Sequence, residues 1–337
     1  MKMTSRCAIR HGFRASLAKW AIFLNVATAL FLGGGIVLLF SHLSHIPPSP
    51  TPTDRNVGIA VKPIPPRSAA AIEPDAATVS AAIASVCGAD EAAAGRYEAR
   101  NDALRSIARE RNLQANDVAA LVAWLASTGD PLRAERLAAL KNDAMNLLRR
   151  QAPPPPDFAD TLIAMFNGGA HPPAVLDYCV QHLGATLRGN ADDAMRSRIR
   201  AVLLEAAKRK GRPYAGTALY ALAGDASVTP AQEAELRRLT LALCAPGADP
   251  AARIAAIQLA GERGYMEALP PLREALSAPK RDTVTDIACL GSIGLLGSSE
   301  DIPLLRRFAA LGPRFAPAAE TAIKRIEARG GGDGEQR

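Results

Sequence analysis

After Asp75 the apolar residues recur at steps of three and four, which is the spacing of a helix face turned toward a core. Val79, Ile83 and Val86 mark one helix before Gly88. Val118, Leu121, Val122 and Leu125 mark another, started by Asn116 and ended at Gly129. Leu176, Cys179, Val180, Leu183 and Leu187 repeat the pattern, as do Met195, Ile199, Val202 and Leu203. Start signals agree with this reading. Asp130-Pro131 and Asp249-Pro250 each place a capping acid before a proline at the first helical position, and Thr229-Pro230-Ala231-Gln232 reads as a capping box. The pattern predicts about 14 helices joined by short loops and no convincing strand, so the fold class is all-α.

Ahead of these helices the pattern changes. Residues 20–40, WAIFLNVATALFLGGGIVLLF, carry no charge, and at about 1.5 Å per residue they are long enough to cross a hydrocarbon core. The arm before them, residues 1–19, holds Lys2, Arg6, Arg10, Arg14 and Lys19 and no acid. The positive-inside rule then leaves the N-terminus cytoplasmic and the rest of the chain across the membrane, in the periplasm of a bacterial cell. A cleaved signal peptide is the alternative. The apolar run is long for one, and Ser41-His42-Leu43-Ser44-His45 makes a poor cleavage site, which favours an uncleaved signal anchor. Ala21, Asn25, Ala29 and Gly33 fall every four residues on one face of the predicted span. Such a face lets two membrane helices approach, although an alanine-rich helix produces the spacing by chance as well. Residues 41–74 are rich in proline, from Pro47 to Pro74, and read as an extended spacer between membrane and folded part.

The strongest organising feature is an internal repeat. Arg253-Ile-Ala-Ala-Ile-Gln-Leu-Ala-Gly261-Glu-Arg-Gly264 lies over Asp286-Ile-Ala-Cys-Leu-Gly-Ser-Ile-Gly294-Leu-Leu-Gly297 at an offset of 33. The same offset carries Leu269-Pro270-Pro271-Leu272-Arg273 onto Ile302-Pro303-Leu304-Leu305-Arg306, and a truncated third copy sets Ile323, Ile326 and Gly330 beneath Leu290, Ile293 and Gly297. Each unit is a helix, a glycine turn and a second helix that begins near a proline. One such pair cannot bury its own apolar face, so the units must stack.

At these residues the chain resembles the HEAT-like repeat family, in the short type also seen in phycobilisome lyases. Asp249, Arg253, Ala256, Gly261, Gly264, Ala268, Pro270, Leu272, Ala275 and Leu276 fit that pattern. The second copy departs from it, with Asp286 where the family usually has Arg and Phe308 where Ala275 sits. The resemblance covers residues 249–329. Residues 75–248 show helical periodicity only, as irregular repeats, and 330–337 read as a disordered tail. The resemblance implies a curved α-solenoid and protein binding or scaffolding rather than catalysis.

Composition and charge narrow the partners. With 48% hydrophobic residues the chain is not mainly disordered, and with 4% aromatics beside abundant Ala and Leu it is not an all-β protein. The net charge of +7 comes mostly from the N-terminal arm, since without its five basic residues the balance is 35 bases against 33 acids. A nucleic-acid-binding domain keeps its basic excess on the folded body, so nucleic acid is not an expected partner. Cys87, Cys179, Cys244 and Cys289 each sit among apolar residues with no C-x-x-C pair, and read as core thiols, with one disulfide as the alternative.

Candidate chemistry is sparse. His171 lies in a turn and His182 follows eleven residues later, which is not the spacing of a helical metal pair; His171, Asp177 and His182 read as a loop and a helix surface before they read as a site. No phosphate-binding glycine loop and no nucleophile elbow occurs, and neither a cofactor nor a metal is expected. Arg237, Arg273 and Arg306 hold matching positions in successive units. They form either a ridge for an acidic peptide or anionic ligand, or a solvated face paired with acids such as Glu235 and Glu274. Tyr220 and Tyr265 are candidate anchors for a partner. The expected function is a membrane-anchored scaffold holding a protein partner in the bacterial envelope. The alternative is an enzyme, or enzyme subunit, with its site in residues 75–248.

Overall fold

In the computed structural model of the chain the described residues are 75–88, 96–189, 192–279 and 282–330. The chain divides into two units, Met1–Ile72 and Glu73–Arg337. The predicted membrane span at 20–40 with Asn25, Ala29 and Gly33, the spacer at 41–74 and the tail beyond Gly330 lie outside the described residues. Among the described residues no helix is long and apolar enough to cross a membrane.

The described part of the second unit holds fourteen α-helices and no strand. They are α1 (Ala76–Val86), α2 (Tyr97–Ser106), α3 (Ala115–Ala126), α4 (Ala134–Arg149), α5 (Phe158–Gly168), α6 (Pro173–Arg188), α7 (Asp193–Lys208), α8 (Tyr214–Ala223), α9 (Pro230–Cys244), α10 (Pro250–Arg263), α11 (Leu269–Ser277), α12 (Thr283–Leu296), α13 (Ile302–Ala309) and α14 (Ala316–Gly330). Alternate helices stack on one another. The even-numbered helices form one continuous layer in which α2, α4, α6, α8, α10, α12 and α14 each pack on the next. The odd-numbered helices lie against that layer. This two-layer array is the helical solenoid that the repeat predicts.

Several predicted signals sit where they were expected. Val79, Ile83 and Val86 are buried, as are Leu176, Cys179, Val180, Leu183 and Leu187. Thr229 and Gln232 close the capping box of α9, and the Asp249 carboxylate accepts from the N–H groups of Ala251 and Ala252 at the start of α10. The repeat is kept to the residue: α10 and α12 start at 250 and 283, α11 and α13 at 269 and 302, and a short 3₁₀ turn precedes each of the latter two, at Met266–Ala268 and Ser299–Asp301. The third copy begins at Ala316, again 33 residues on, and continues as helix through Gly330.

Glycines set the spacing of the even layer. A Cβ at Gly294 of α12 would lie 2.7 Å from the Cα of Ala322 in α14, and one at Gly261 of α10 would lie 2.9 Å from the Ser292 hydroxyl in α12. Only a residue without a side chain lets these helices approach so closely. The same crossing recurs upstream, where Gly216 of α8 meets Ala252 of α10 and Gly184 of α6 meets Ala221 of α8. The close-packed stack therefore begins at α6, well before the region where the sequence repeat is legible.

Two start signals are corrected. Asp130 does not cap a helix, because α4 begins at Ala134 and Asp130 instead accepts both terminal nitrogens of Arg100, at 3.0 and 2.7 Å. Asn116 does not start α3 either; Gln114 takes the N-cap position and the helix ends before Ser127 rather than at Gly129. The buried face of α3 is also turned from the predicted one: Asp117 and Trp124 are buried beside Leu121 and Leu125, while Val118 and Val122 are half-buried. Asp117 turns inward because its carboxylate accepts from the Ser80 hydroxyl of α1.

Basic side chains do much of the work at helix ends, where backbone carbonyls lack intrahelical donors and the dipole favours a cation. Arg100 Nε donates to the Val86 carbonyl that ends α1, at 2.8 Å. Lys141 Nζ donates to the carbonyls of Leu125 and Ser127 at the end of α3, at 2.8 and 2.6 Å. Arg196 serves Leu187, Arg253 serves Cys244, Arg263 serves Ala223, and Arg329 serves Gly294 and Gly297.

Candidate partner-binding surface

The three ridge arginines lie on α9, α11 and α13, and the array uses the first two as joints. Arg237 Nη1 meets Glu267 Oε1 at 3.2 Å, and its guanidinium lies 4.9 Å from the centre of the Tyr265 ring. Arg273 makes a two-pronged pair with Asp301, Nε to Oδ1 at 2.7 Å and Nη2 to Oδ2 at 2.9 Å. In both cases the acid belongs to the 3₁₀ turn that opens the next odd helix. Arg306 is exposed and carries no ion pair among the described residues. Of the acids expected beside the ridge, Glu235 pairs with Arg238 at 2.7 Å.

The two tyrosines differ. Tyr265 is buried, donating to Glu233 Oε1 at 2.6 Å, so it cannot act as a surface anchor. Tyr220 on α8 is half-buried and hydrogen-bonds to Glu262 of α10, and burial pushes its hydroxyl pKa upward. Burial likewise raises Glu262.

His171 lies in the loop before α6 as expected, but it, Asp177 and His182 are all buried, which overturns the reading of Asp177 and His182 as a helix surface. They do not converge on one point. His182 Nε2 meets Asn142 Oδ1 at 3.2 Å and its ring stands edge-on to Phe158. Burial, with the charge of Arg149, holds His182 down to about 3, so it is neutral. The Asp177 carboxylate accepts from Thr217 Oγ1 at 2.6 Å and from Gln181 Nε2 at 2.9 Å, and burial raises its pKa despite both bonds. No group of His, Cys, Asp and Glu among the described residues could hold a metal ion. The four described cysteines are free thiols, three buried and Cys87 half-buried, and burial pushes Cys179, Cys244 and Cys289 up to about 12. Inert core thiols fit that chemistry.

A charged cluster in the front half escaped the sequence reading. Arg100 and Lys141 are fully buried, and both lie over the ring of Trp124, at 5.3 and 5.6 Å from its centre. The Trp124 indole N–H and the Leu132 backbone N–H join Arg100 in donating to Asp130. Burial pulls the Asp130 pKa upward, and these bonds outweigh it, so the carboxyl titrates below its ordinary value. Burial brings Lys141 from 10.5 down to about 8. A cleft of about 280 Å³ opens beside the cluster, lined by Cys87, Arg100, Trp124 and Asp130 among others. Each charged group there is committed to a helix end or to another member of the cluster. The available signal was position: Lys141 falls on the apolar face of α4 with Leu137, Leu140 and Leu148.

Residues 238–323 match the family model for HEAT repeats. No curated protein and no solved structure matches the chain. The matched segment covers about the last half of α9 through the first half of α14, the stretch in which the 33-residue register is kept.

Proposed function

We propose that the protein is a scaffold that binds a protein partner through its helical array and is held at a bacterial inner membrane. HEAT repeats generally mediate protein–protein interaction, and the array here is built as they are. The observation that carries the reading is the use of the charged groups. Buried cations close helix ends, and Arg237 and Arg273 join neighbouring units, so the array presents a stacked surface rather than a set of convergent reactive groups. Binding on such a surface comes from area and shape with a few anchoring side chains.

The membrane placement rests on the sequence: the uncharged run at 20–40, the basic arm before it and the proline-rich spacer after it. In this reading residues 20–40 contact the lipid bilayer, the N-terminus is cytoplasmic and the array is periplasmic. Self-association through Asn25, Ala29 and Gly33 belongs to the same proposal. In-cell cross-linking of the full-length tagged chain, with mass spectrometry of the product, tests the scaffold. One or two dominant captured proteins are expected, and capture of no protein overturns it. A periplasm-dependent reporter fused after Arg337 tests the topology, and an inactive reporter overturns it.

A further inference from the structure

A second cleft lies between α3 and α5. It has a volume of about 340 Å³ and opens among Val122, Ala123 and Ala126 of α3, Ala164 and Met165 of α5, and His171 in the loop before α6. The three alanines are exposed and Met165 is buried, so small side chains form the walls and a thioether the floor. The other lining residues are threonine, glycine and alanine, and no charged side chain borders the space. An apolar cavity of about 150 Å³ is enough for a benzene ring, so this cleft has room for a larger aromatic group.

His171 says what such a group must carry. The residue is 7% exposed, yet its side chain makes no hydrogen bond among the described residues, and neither ring nitrogen is fully enclosed. The part left open therefore includes the polar edge of the ring, and the cleft is the open space that His171 borders. Burial and the charge of Lys141 hold the imidazole below its ordinary 6.5, so at neutral pH it offers one donor and one acceptor. An occupant that displaces water from the cleft must replace the bond that water gives this edge, or the gain from apolar burial is offset. A phenylalanine or leucine side chain cannot do so, and a charged one finds no counter-ion in the lining. A tyrosine has a ring to fill the space between the alanines and a hydroxyl that serves either ring nitrogen. The five tyrosines of this chain, Tyr97, Tyr178, Tyr214, Tyr220 and Tyr265, are all among the described residues and none lines the cleft. The tyrosine therefore comes from another molecule.

We propose that the cleft between α3 and α5 is an anchor site for a tyrosine side chain of the partner protein. The phenol ring lies over Met165 between the alanine walls, and its hydroxyl bonds to His171. The proposal rests on the scaffold reading and gives it an anchor point. It places that anchor in the front half of the array, outside the segment that matches the HEAT repeat family.

The test uses the full chain in lipid nanodiscs with methyl-labelled methionine. The chain has six methionines, and the signal lost in Met165→Leu is that of Met165. The probes are the blocked peptides acetyl-Gly-Tyr-Gly-amide and acetyl-Gly-Phe-Gly-amide. The tyrosine peptide is expected to shift the Met165 signal through the ring current of its phenol, with a Kd on the order of millimolar. It is expected to bind about fivefold tighter than the phenylalanine peptide. His171→Leu should remove that preference, and Ala164→Phe, which fills the cleft from an exposed wall, should remove binding of both. Thermal unfolding checks that the variants fold, and if His171→Leu does not, the peptide pair on the wild type decides. Absence of a Met165 shift at about ten times the expected Kd overturns the proposal. So does equal binding of the two peptides, and so does a preference that survives His171→Leu. Cross-linking in cells separates this proposal from the scaffold reading. Loss of the captured protein in Ala164→Phe supports docking at the cleft, and its retention sinks the docking site alone. A wild-type dimer that Ala164→Phe abolishes assigns the cleft to a second copy and overturns the proposal. A wild type that captures nothing sinks both readings.

Discussion

Two halves of the array hold their helices together by different means. From α1 to α7 the odd helices pack on one another as the even ones do, and the joints are closed by buried cations that reach across to helix ends. From α9 to α13 the odd helices make little contact with one another, and the joints are glycine crossings in the even layer plus arginine–acid pairs whose guanidinium groups are half-exposed or exposed. The first device depends on individual long side chains and has no period. The second depends on the absence of a side chain at a fixed register and repeats every 33 residues. An array built the second way can add a unit by copying sequence, whereas the first way needs each joint worked out anew.

Breaking a joint in the front half should cost most. Arg100→Met leaves the Asp130 carboxylate, 4% exposed, without its cation, and a loss of about 3–5 kcal/mol is expected in urea unfolding. A variant as stable as the wild type would show that the cluster is not what closes this end. Lys141 gives a related test through pH. Its amine ordinarily titrates at 10.5 and burial brings it to about 8. Between those values the unfolded chain binds a proton there that the folded chain does not, so stability should rise with pH through that window. The rise should approach about 3 kcal/mol. Comparison with Lys141→Met isolates the contribution of this one amine. Parallel pH profiles for the two proteins would exclude the effect.

These two residues also mark where sequence reading stops. Apolar periodicity identified the buried faces of α1, α6 and α7, and the repeat identified α10 to α13, because both depend on which face is covered. Periodicity does not report where a long charged side chain ends. Lys141 sits on an apolar face and was legible as an anomaly, but its carbonyl partners at Leu125 and Ser127 lie 16 and 14 residues away in the preceding corner. Asp130 beside Pro131 has the local form of a cap, and Arg100, 30 residues distant, takes it instead. His182 is buried for a similar reason: Asn142 and Phe158, which meet its ring, come from α4 and α5. The glycine turn shows the limit inside the legible half as well. Gly264 ends α10 in the left-handed region, at φ 71°, while its repeat partner Gly297 is at φ −73° and is needed because a Cβ there would meet Asp301 Oδ2 at 2.5 Å.

In the repeat half the same helix provides both a test and its control. Gly294→Ala puts a methyl into the backbone of α14 and should cost about 1–3 kcal/mol. Gly291→Ala, one turn earlier with nothing within 4 Å, should change stability by no more than about 1 kcal/mol and in the favourable direction. If both lose stability equally, helix propensity rather than close approach governs α12, and the contrast between the halves weakens.

The ridge should give the smallest effect. Arg237 and Glu267 are 46% and 54% exposed in their side chains, so water and salt screen the pair, and Arg237→Gln should cost under about 1 kcal/mol. Most of what remains in high salt should come from the guanidinium lying on the Tyr265 ring, which is apolar contact as much as charge. Raising the salt concentration should therefore shrink the difference between wild type and Arg237→Gln without abolishing it, while leaving the Arg100→Met deficit nearly unchanged, because Arg100 is sealed from solvent. A ridge variant that loses as much as the buried one, at any salt, would mean that the odd helices of the repeat half are joined as tightly as those of the front.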